Sequence, residues 1–412
     1  MPDTDPLVFN PLDPSFRIDP YPFYARLREQ DPVHQTALGS WVISRYADCV
    51  ALLKDPRVSS DLRNEELYRR AVEQGLIDPD QEVLQRTPPF LVRDPPDHTR
   101  LRGLVSKAFT PNVIEGLRPH VQELVDRLID RAAAAGEMEL IEEFAYPLPV
   151  TVICELLGVP PQDHETFKEW SRELSKGLDP GRYAQPDTVE RRRRAGNAFA
   201  GYFGDLIAQR RKTPREDLLS ALIAAEEQGD RLTPEELIST CIFLVSAGHE
   251  TTVNLIGNGT LALLRHPDQL RRLRDDPSLT RSAVEELLRY DAPVHMAIRV
   301  AIADIEVGGR TIGRGQQIAI LLGSANRDPA QFPEPDRLDI ARRDNHHVAF
   351  GFGIHFCLGA PLARVEGEIA FAALVRRLQG IELCTQAPEY RENIVLRGPR
   401  ALPVRFAGVL PA

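Results

Sequence analysis

Phe350-Gly351-Phe352-Gly353-Ile354-His355-Phe356-Cys357-Leu358-Gly359 places one cysteine at the end of a glycine-rich loop, directly ahead of a run with helical period. Gly351 and Gly353 allow positive φ and a close approach of the backbone to another group. The helix expected from about Leu358 offers unpaired N–H groups and the positive end of its dipole. Both features favour the sulfur as an anion, so Cys357 is a candidate thiolate ligand. Two plainer readings stand beside this one. A buried cysteine is usually a small inert hydrophobe, and His346, His347, His355 and Cys357 are a possible crowded zinc site, although the short C-x-x-C pairs of zinc clusters are absent.

The other cysteines, Cys49, Cys154, Cys241 and Cys384, sit among apolar neighbours and are widely separated, which is not the spacing of a disulfide framework. The chain has 412 residues, 42% of them hydrophobic, with 34 prolines spread throughout and no internal repeat, so one continuous domain over residues 1–412 is expected. Sixty acidic residues against 50 basic ones give a net charge of −10, which excludes a dedicated nucleic-acid binder. The opening Met1-Pro2-Asp3-Thr4-Asp5-Pro6 has no basic and apolar leader pattern, and no apolar run approaches the roughly 18 residues of a membrane span, so a cytoplasmic protein is expected.

Helical period dominates: Val113 to Ala134, Glu139 to Leu157, Arg191 to Lys212, Glu216 to Glu227, Pro234 to Arg265 and Leu358 to Leu378. Strands are expected at Trp41 to Ser44 and Gln317 to Leu322, with a hairpin of Ile305 to Val307 and Arg310 to Ile312 around Gly308-Gly309. Arg191-Arg192-Arg193-Arg194 lies within a helical run and reads as a solvated face. Thr233-Pro234-Glu235-Glu236 is a capping box that starts a long helix, which His266-Pro267 stops. Within it Ala247-Gly248-His249-Glu250-Thr251-Thr252 works against helix propensity: a glycine costs about 1 kcal/mol there. The missing side chain suits a ligand alongside an acid and a hydroxyl that handle protons; the competing reading is a threonine bonded back to a backbone carbonyl. His249 reads as a residue on the other face. Glu286 and Arg289, three apart, share a helix face.

The cysteine loop resembles, residue for residue, the haem-binding signature of the cytochromes P-450, and Ala247 to Thr251 resembles their Ala-Gly-x-Glu-Thr oxygen groove. The resemblance spans essentially the whole chain, with the motifs in the family's order. It implies a mainly α fold with a minor β region, a helix-rich triangular prism with a long central helix and small antiparallel sheets. It implies haem b (iron protoporphyrin IX) with Cys357 as axial ligand, lined by Phe350, Gly351, Ala247 and Gly248, its propionates on His98, Arg102, Arg299 and His355. Thr251 and Glu250 would be catalytic, managing protons for O2, and Glu286, Arg289 and Arg337 would form a structural network behind the loop. Substrate contacts carried over are Phe90, Leu91, Phe243, Leu244, Val294, His295, Met296, Ile394 and Val395, with His295 as the polar one.

The implied activity is a haem-thiolate monooxygenase, or hydroxylase of secondary metabolism, acting on an apolar terpenoid, steroid, fatty acid or polyketide. The alternatives are a peroxide-driven peroxygenase on the same fold or a non-catalytic haem protein. A monomeric soluble bacterial type, without anchor or fused reductase, would take electrons from NAD(P)H through a reductase and a ferredoxin or flavodoxin. Lys107, Arg342, Arg343 and Arg364 are the basic patch expected to receive that partner.

Overall fold

The long helix begins as its cap dictates. The Thr233 hydroxyl accepts from the Glu236 N–H at 3.2 Å, the Glu236 carboxylate accepts from the Thr233 N–H at 2.9 Å, and Pro234 opens the first turn. The helix runs Pro234–Arg265, 32 residues and roughly 48 Å, and ends at His266 before Pro267. This computed structural model describes residues 7–80, 82–107, 109–179, 186–227 and 232–412. Residues 1–6, where a leader was sought, lie outside them.

Helices Pro147–Leu156, His164–Ser175, Pro186–Lys212, Thr280–Tyr290 and Ala360–Arg377 pack around the central one. From Ser239 to Leu263 it is buried except at Phe243, Ser246, Ala247, Gly248 and Thr251. Phe243, Ala247 and Thr251 are successive fourth residues, so they form one stripe along a single face.

The β region is a five-stranded sheet in which Val33–Gln35, Trp41–Ile43, Gln317–Ile320, Ala297–Ala301 and Val58–Ser59 lie side by side in that order. Trp41–Ile43 and Gln317–Ile320 pair in parallel, the one departure from the expected antiparallel arrangement. The hairpin Ile305–Val307 with Arg310–Ile312 forms as expected, with Gly308 and Gly309 at φ 55° and 76°.

Two long helices expected from periodicity are interrupted, both by proline. Val113 to Ala134 is divided at Leu117 into Pro111–Gly116 and Arg118–Ala132, because Pro119 has no N–H to continue the ladder. Glu139 to Leu157 becomes a strand Glu137–Glu139, a π-turn Ile141–Ala145 closed by the Tyr146 N–H on the Ile141 carbonyl, and a new helix from Pro147. Arg191, Arg193 and Arg194 pair with Asp187, Glu173 and Glu190, and Arg192 with Glu82, a helix face laced by ion pairs.

Candidate active site

The cysteine loop takes its shape from two left-handed glycines, Gly351 at φ 71° and Gly353 at φ 72°. A Cβ on Gly353 would lie 2.6 Å from the Leu53 carbonyl oxygen, so no other residue fits there. The Cys357 N–H donates to the Phe350 carbonyl at 2.9 Å and closes the loop, and the helix starts at Ala360, two residues later than the periodicity indicates. Cys357 is exposed to solvent. Burial pushes its pKa up, while the N–H groups of Gly359 and Ala360 and the cations Arg102 and Arg364 pull it down.

Behind the loop, the Glu286 carboxylate accepts both Nε and Nη2 of Arg289 at 2.8 Å, the Asp339 N–H at 2.9 Å and the Asn345 amide at 3.3 Å. Its further cation is Arg342, whose Nε lies 3.1 Å away, and not Arg337. Arg337 points outward onto Glu334 and is 60% exposed; only its backbone carbonyl joins the network, as acceptor for Arg289 and Arg342. Arg364 likewise turns onto Glu285, which also meets His347. Of the expected basic patch, Lys107 and Arg343 remain exposed and free of these pairs. No group of three His, Cys, Asp or Glu side chains converges into a metal site among the described residues, so the zinc reading has no geometric support.

Four donors gather around the loop, and among the described residues no acid pairs with them. His98 lies buried in helix Asp97–Ser106 with neither ring nitrogen bonded, and its ring centroid is 4.2 Å from that of His355, whose Nδ1 is also buried and unpartnered. Arg299 donates to the Ile298 carbonyl and Arg102 to that of Phe356. Asp94, the acid that acts on His98 and Arg299, is already engaged by Ser59 and Ser60. Burial and the charges of Arg299, His98 and Arg102 push the His355 pKa down to about 3, and burial holds Arg299 near 10. A partly buried donor set of this kind fits a group that brings two carboxylates. With Cys357 as the soft ligand, the residues present fit a haem.

On the central helix, the Thr251 hydroxyl donates back to the Ala247 carbonyl at 3.2 Å, the competing reading of that residue. Gly248 does not make room for a ligand: a Cβ there would lie 2.8 Å from Ile153, so its bare face admits the neighbouring helix. Glu250 is buried, with Oε2 2.5 Å from Arg391 Nη1 and Oε1 3.6 Å from His249 Nε2. Burial opposes its charge, but His249, Arg391 and Arg172 together hold its pKa at about 2. His249 is fully buried, with Nδ1 2.7 Å from the Val245 carbonyl and Nε2 3.2 Å from the Tyr146 hydroxyl. Neither its role beside Glu250 nor Arg391 was signalled by any spacing in the sequence. Glu366, buried on the helix after the loop, faces Thr252 and is pushed up to about 8 by burial.

Of the carried-over substrate contacts, Phe90 meets Phe243 edge-on at 5.1 Å and lies beside His98, with Leu91 next to it and half-buried. Val294 is half-buried, and Leu244 is buried in the main core. Ile394 and Val395 are buried in the segment that follows Arg391. Met296 packs against Tyr24 and Leu27 in the N-terminal cluster. His295 is the correction: it is 3% exposed, with Nδ1 3.2 Å from the Tyr24 hydroxyl and Nε2 3.4 Å from both the Tyr21 hydroxyl and Asp291. It is consumed by that polar cluster and is not a substrate contact.

Comparison with known proteins agrees along the chain's whole length. The family model described as Cytochrome P450 matches residues 63–401. The polyketide biosynthesis cytochrome P450 PksS of Bacillus subtilis (strain 168) is 42% identical over 97% of this chain and 99% of its own. The cytochrome P450 monooxygenase PikC of Streptomyces venezuelae is 44% identical over 96% and 93%. Among solved structures, myxobacterial cytochrome P450 CYP267B1 in complex with myristic acid superposes with a TM-score of 0.86 at 47% identity, covering 96% of this chain and 98% of that one. With a thiol presented by a two-glycine loop, four unanswered donors around it and an acid beside a threonine on the facing helix, the chain belongs to the cytochrome P450 family.

Proposed function

We propose that this protein is a monooxygenase that places one atom of O2 into an apolar, mid-sized organic substrate and sends the other to water. The carrying observation is the accessible Cys357 flanked by four donors that have no acid of their own. Cys357 would ligate the iron of haem b, and His98, Arg102, Arg299 and His355 would hold its propionates; when bound, the haem supplies the activation of O2 with two external electrons.

The protein's part is to orient and to move protons. The stripe Phe243, Ala247 and Thr251 would line the substrate space, and Phe90, Val294, Ile394 and Val395 would supply its apolar walls. Glu250 holds no proton near neutrality while His249 and Arg391 sit against it and keep its pKa at about 2. Movement of Arg391 and His249 away from it raises that pKa and lets the carboxylate take a proton from water on the Arg391 side. It then passes that proton toward the Thr251 hydroxyl, which exchanges its bond to Ala247 for one into the cleft. The acid–hydroxyl pair favours O2 over peroxide as oxidant.

The substrate class follows the apolar residues and the company the chain keeps: a relative named for polyketide biosynthesis and a solved neighbour in complex with myristic acid support a polyketide or fatty-acid-like compound, with terpenoids and steroids of similar polarity. A ferredoxin or flavodoxin, reduced from NAD(P)H by its reductase, is the electron donor in this reading. It docks by Lys107 and Arg343, a smaller patch than the sequence indicates. Among the described residues no helix is long and apolar enough to cross a membrane. A cytoplasmic, monomeric single domain is part of the same proposal.

The test is the absorption spectrum of the reduced carbonyl complex. A strongly red-shifted Soret band is expected from the haem-loaded protein and none from Cys357→Ala; Cys357→His should load haem and show an unshifted band. A shifted band retained by either variant overturns the ligand assignment.

A further inference from the structure

His249 is fixed at one ring nitrogen and contested at the other. Its Nδ1 lies 2.7 Å from the Val245 carbonyl. A carbonyl oxygen only accepts, so Nδ1 carries a hydrogen in every state of the ring, and the proton that comes and goes is the one on Nε2. Nε2 has two neighbours, the Tyr146 hydroxyl at 3.2 Å and Glu250 Oε1 at 3.6 Å. The first is a hydrogen bond. The second is too long to be one, and Glu250 Oε1 is buried without a partner.

The packing around Tyr146 holds it to this contact. Tyr146 stands between the π-turn Ile141–Ala145 and the helix that starts at Pro147. Both ends of that stretch press on glycines of the central helix, Ile141 on Gly257 and Ile153 on Gly248, where an added Cβ would meet either isoleucine at 2.8 Å. The tyrosine ring meets that of His249 edge-on, with centroids 5.3 Å apart. Over it stand Lys168 Nζ at 4.9 Å and the Arg172 guanidinium at 5.2 Å, and both cations are tied to Glu142.

The two neighbours of Nε2 favour opposite states of the ring. Ionised Glu250 only accepts, so it pairs with a protonated Nε2. The Tyr146 hydroxyl has no other partner among the described residues, so its hydrogen is satisfied only by the lone pair of a neutral ring. Protonated, His249 is foremost among the groups that hold Glu250 ionised; neutral, it leaves Arg391 and Arg172 to do so. The remaining groups that act on the pair are Lys168, over the tyrosine ring, and Cys154, whose thiol pKa burial pushes up.

We propose that Tyr146 is a positioning residue for proton transfer: its hydroxyl competes with Glu250 for His249 Nε2, keeps that ring neutral, and so frees Glu250 on one side to take up and pass on a proton. This rests on the monooxygenase reading and supplies what draws His249 away from the acid.

The test reads the ring directly. In the diamagnetic reduced carbonyl complex of the haem-loaded protein, imidazole 15N shifts distinguish the Nδ1–H tautomer, the Nε2–H tautomer and the cation, and the His249 signals are those missing from His249→Gln. The unaltered protein should show the Nδ1–H tautomer at pH 7.5. In Tyr146→Phe the cation should persist to a pH about one unit higher, and in Glu250→Gln, which removes the charge that attracts the proton, it should give way at a lower pH than in the unaltered protein. With electrons from NAD(P)H through a ferredoxin and its reductase, the pH below which O2 consumption slows should rise in Tyr146→Phe by the same unit, about, with the rate above it changed by less than about twofold. A cation or an Nε2–H tautomer at pH 7.5 in the unaltered protein, a titration unmoved by Tyr146→Phe, or a rate lowered equally at every pH overturns the proposal; the last outcome means that Tyr146 only packs. Failure of the monooxygenase reading is a separate result, the absence of the red-shifted carbonyl band.

Discussion

The support behind the cysteine loop and the groups that face the cleft use the same chemistry in opposite ways. Glu286 is saturated: Arg289, Arg342, Asn345 and the Asp339 N–H all donate to it, and the pair it forms with Arg289 is fully buried. Around the cysteine loop, the ring nitrogens of His98 and Nδ1 of His355 are buried without partners. An unpaired buried polar group costs about 1–3 kcal/mol, so a ligand that pairs with these nitrogens would stabilise the second region. The first holds geometry; the second is set to bind and to transfer protons.

The comparison breaks most visibly at its saturated end. Glu286→Ala strands Arg289 in the interior and should cost about 3–5 kcal/mol, giving protein that neither melts cooperatively nor loads haem. Thermal unfolding and haem titration read this directly. Retention of a cooperative transition and full loading would show that the network is dispensable.

A sharper and smaller contrast lies between two arginines of one loop. Arg342→Met removes a guanidinium only 11% exposed that reaches Glu286 and the Pro333 carbonyl, and should cost about 2–3 kcal/mol. Arg337→Met removes an exposed pair with Glu334 and should change stability by less than about 0.5 kcal/mol. Denaturation midpoints of the two variants rank them, and the reverse order would restore Arg337 to the network.

These arginines also mark where the sequence stops being legible. The cysteine loop and the long helix are local devices: positive-φ glycines, a capping box and a terminating proline act within a few residues, and the structure has them where they are written. Arg337 and Arg342 share one loop, and which guanidinium turns inward depends on the path between Pro333 and Asn345, which no periodicity encodes. The same holds for His295, whose direction is set by Tyr21 and Tyr24 from more than 270 residues away. Gly248 shows the third limit. The missing side chain was visible, but whether a cofactor or Ile153 fills the space is a fact of helix packing.

Glu250→Gln is the most conservative of these substitutions in shape, and its value lies in its pH dependence. Glu250 has a folded pKa of about 2 against 4.5 unperturbed, so its ionised form contributes stability that is complete above pH 4.5 and is lost as pH falls toward 2. Gln keeps the shape and an acceptor for Arg391, which at 15% exposed also retains access to water. The loss at neutral pH should therefore be held to about 1–2 kcal/mol, less than the full shift implies, because solvent screens the pair at its open end. The two proteins should converge in stability between pH 4.5 and pH 2, where Glu250 takes up its proton and comes to resemble the amide. Stability curves that stay parallel across that window would mean that Glu250 is not held ionised by His249 and Arg391.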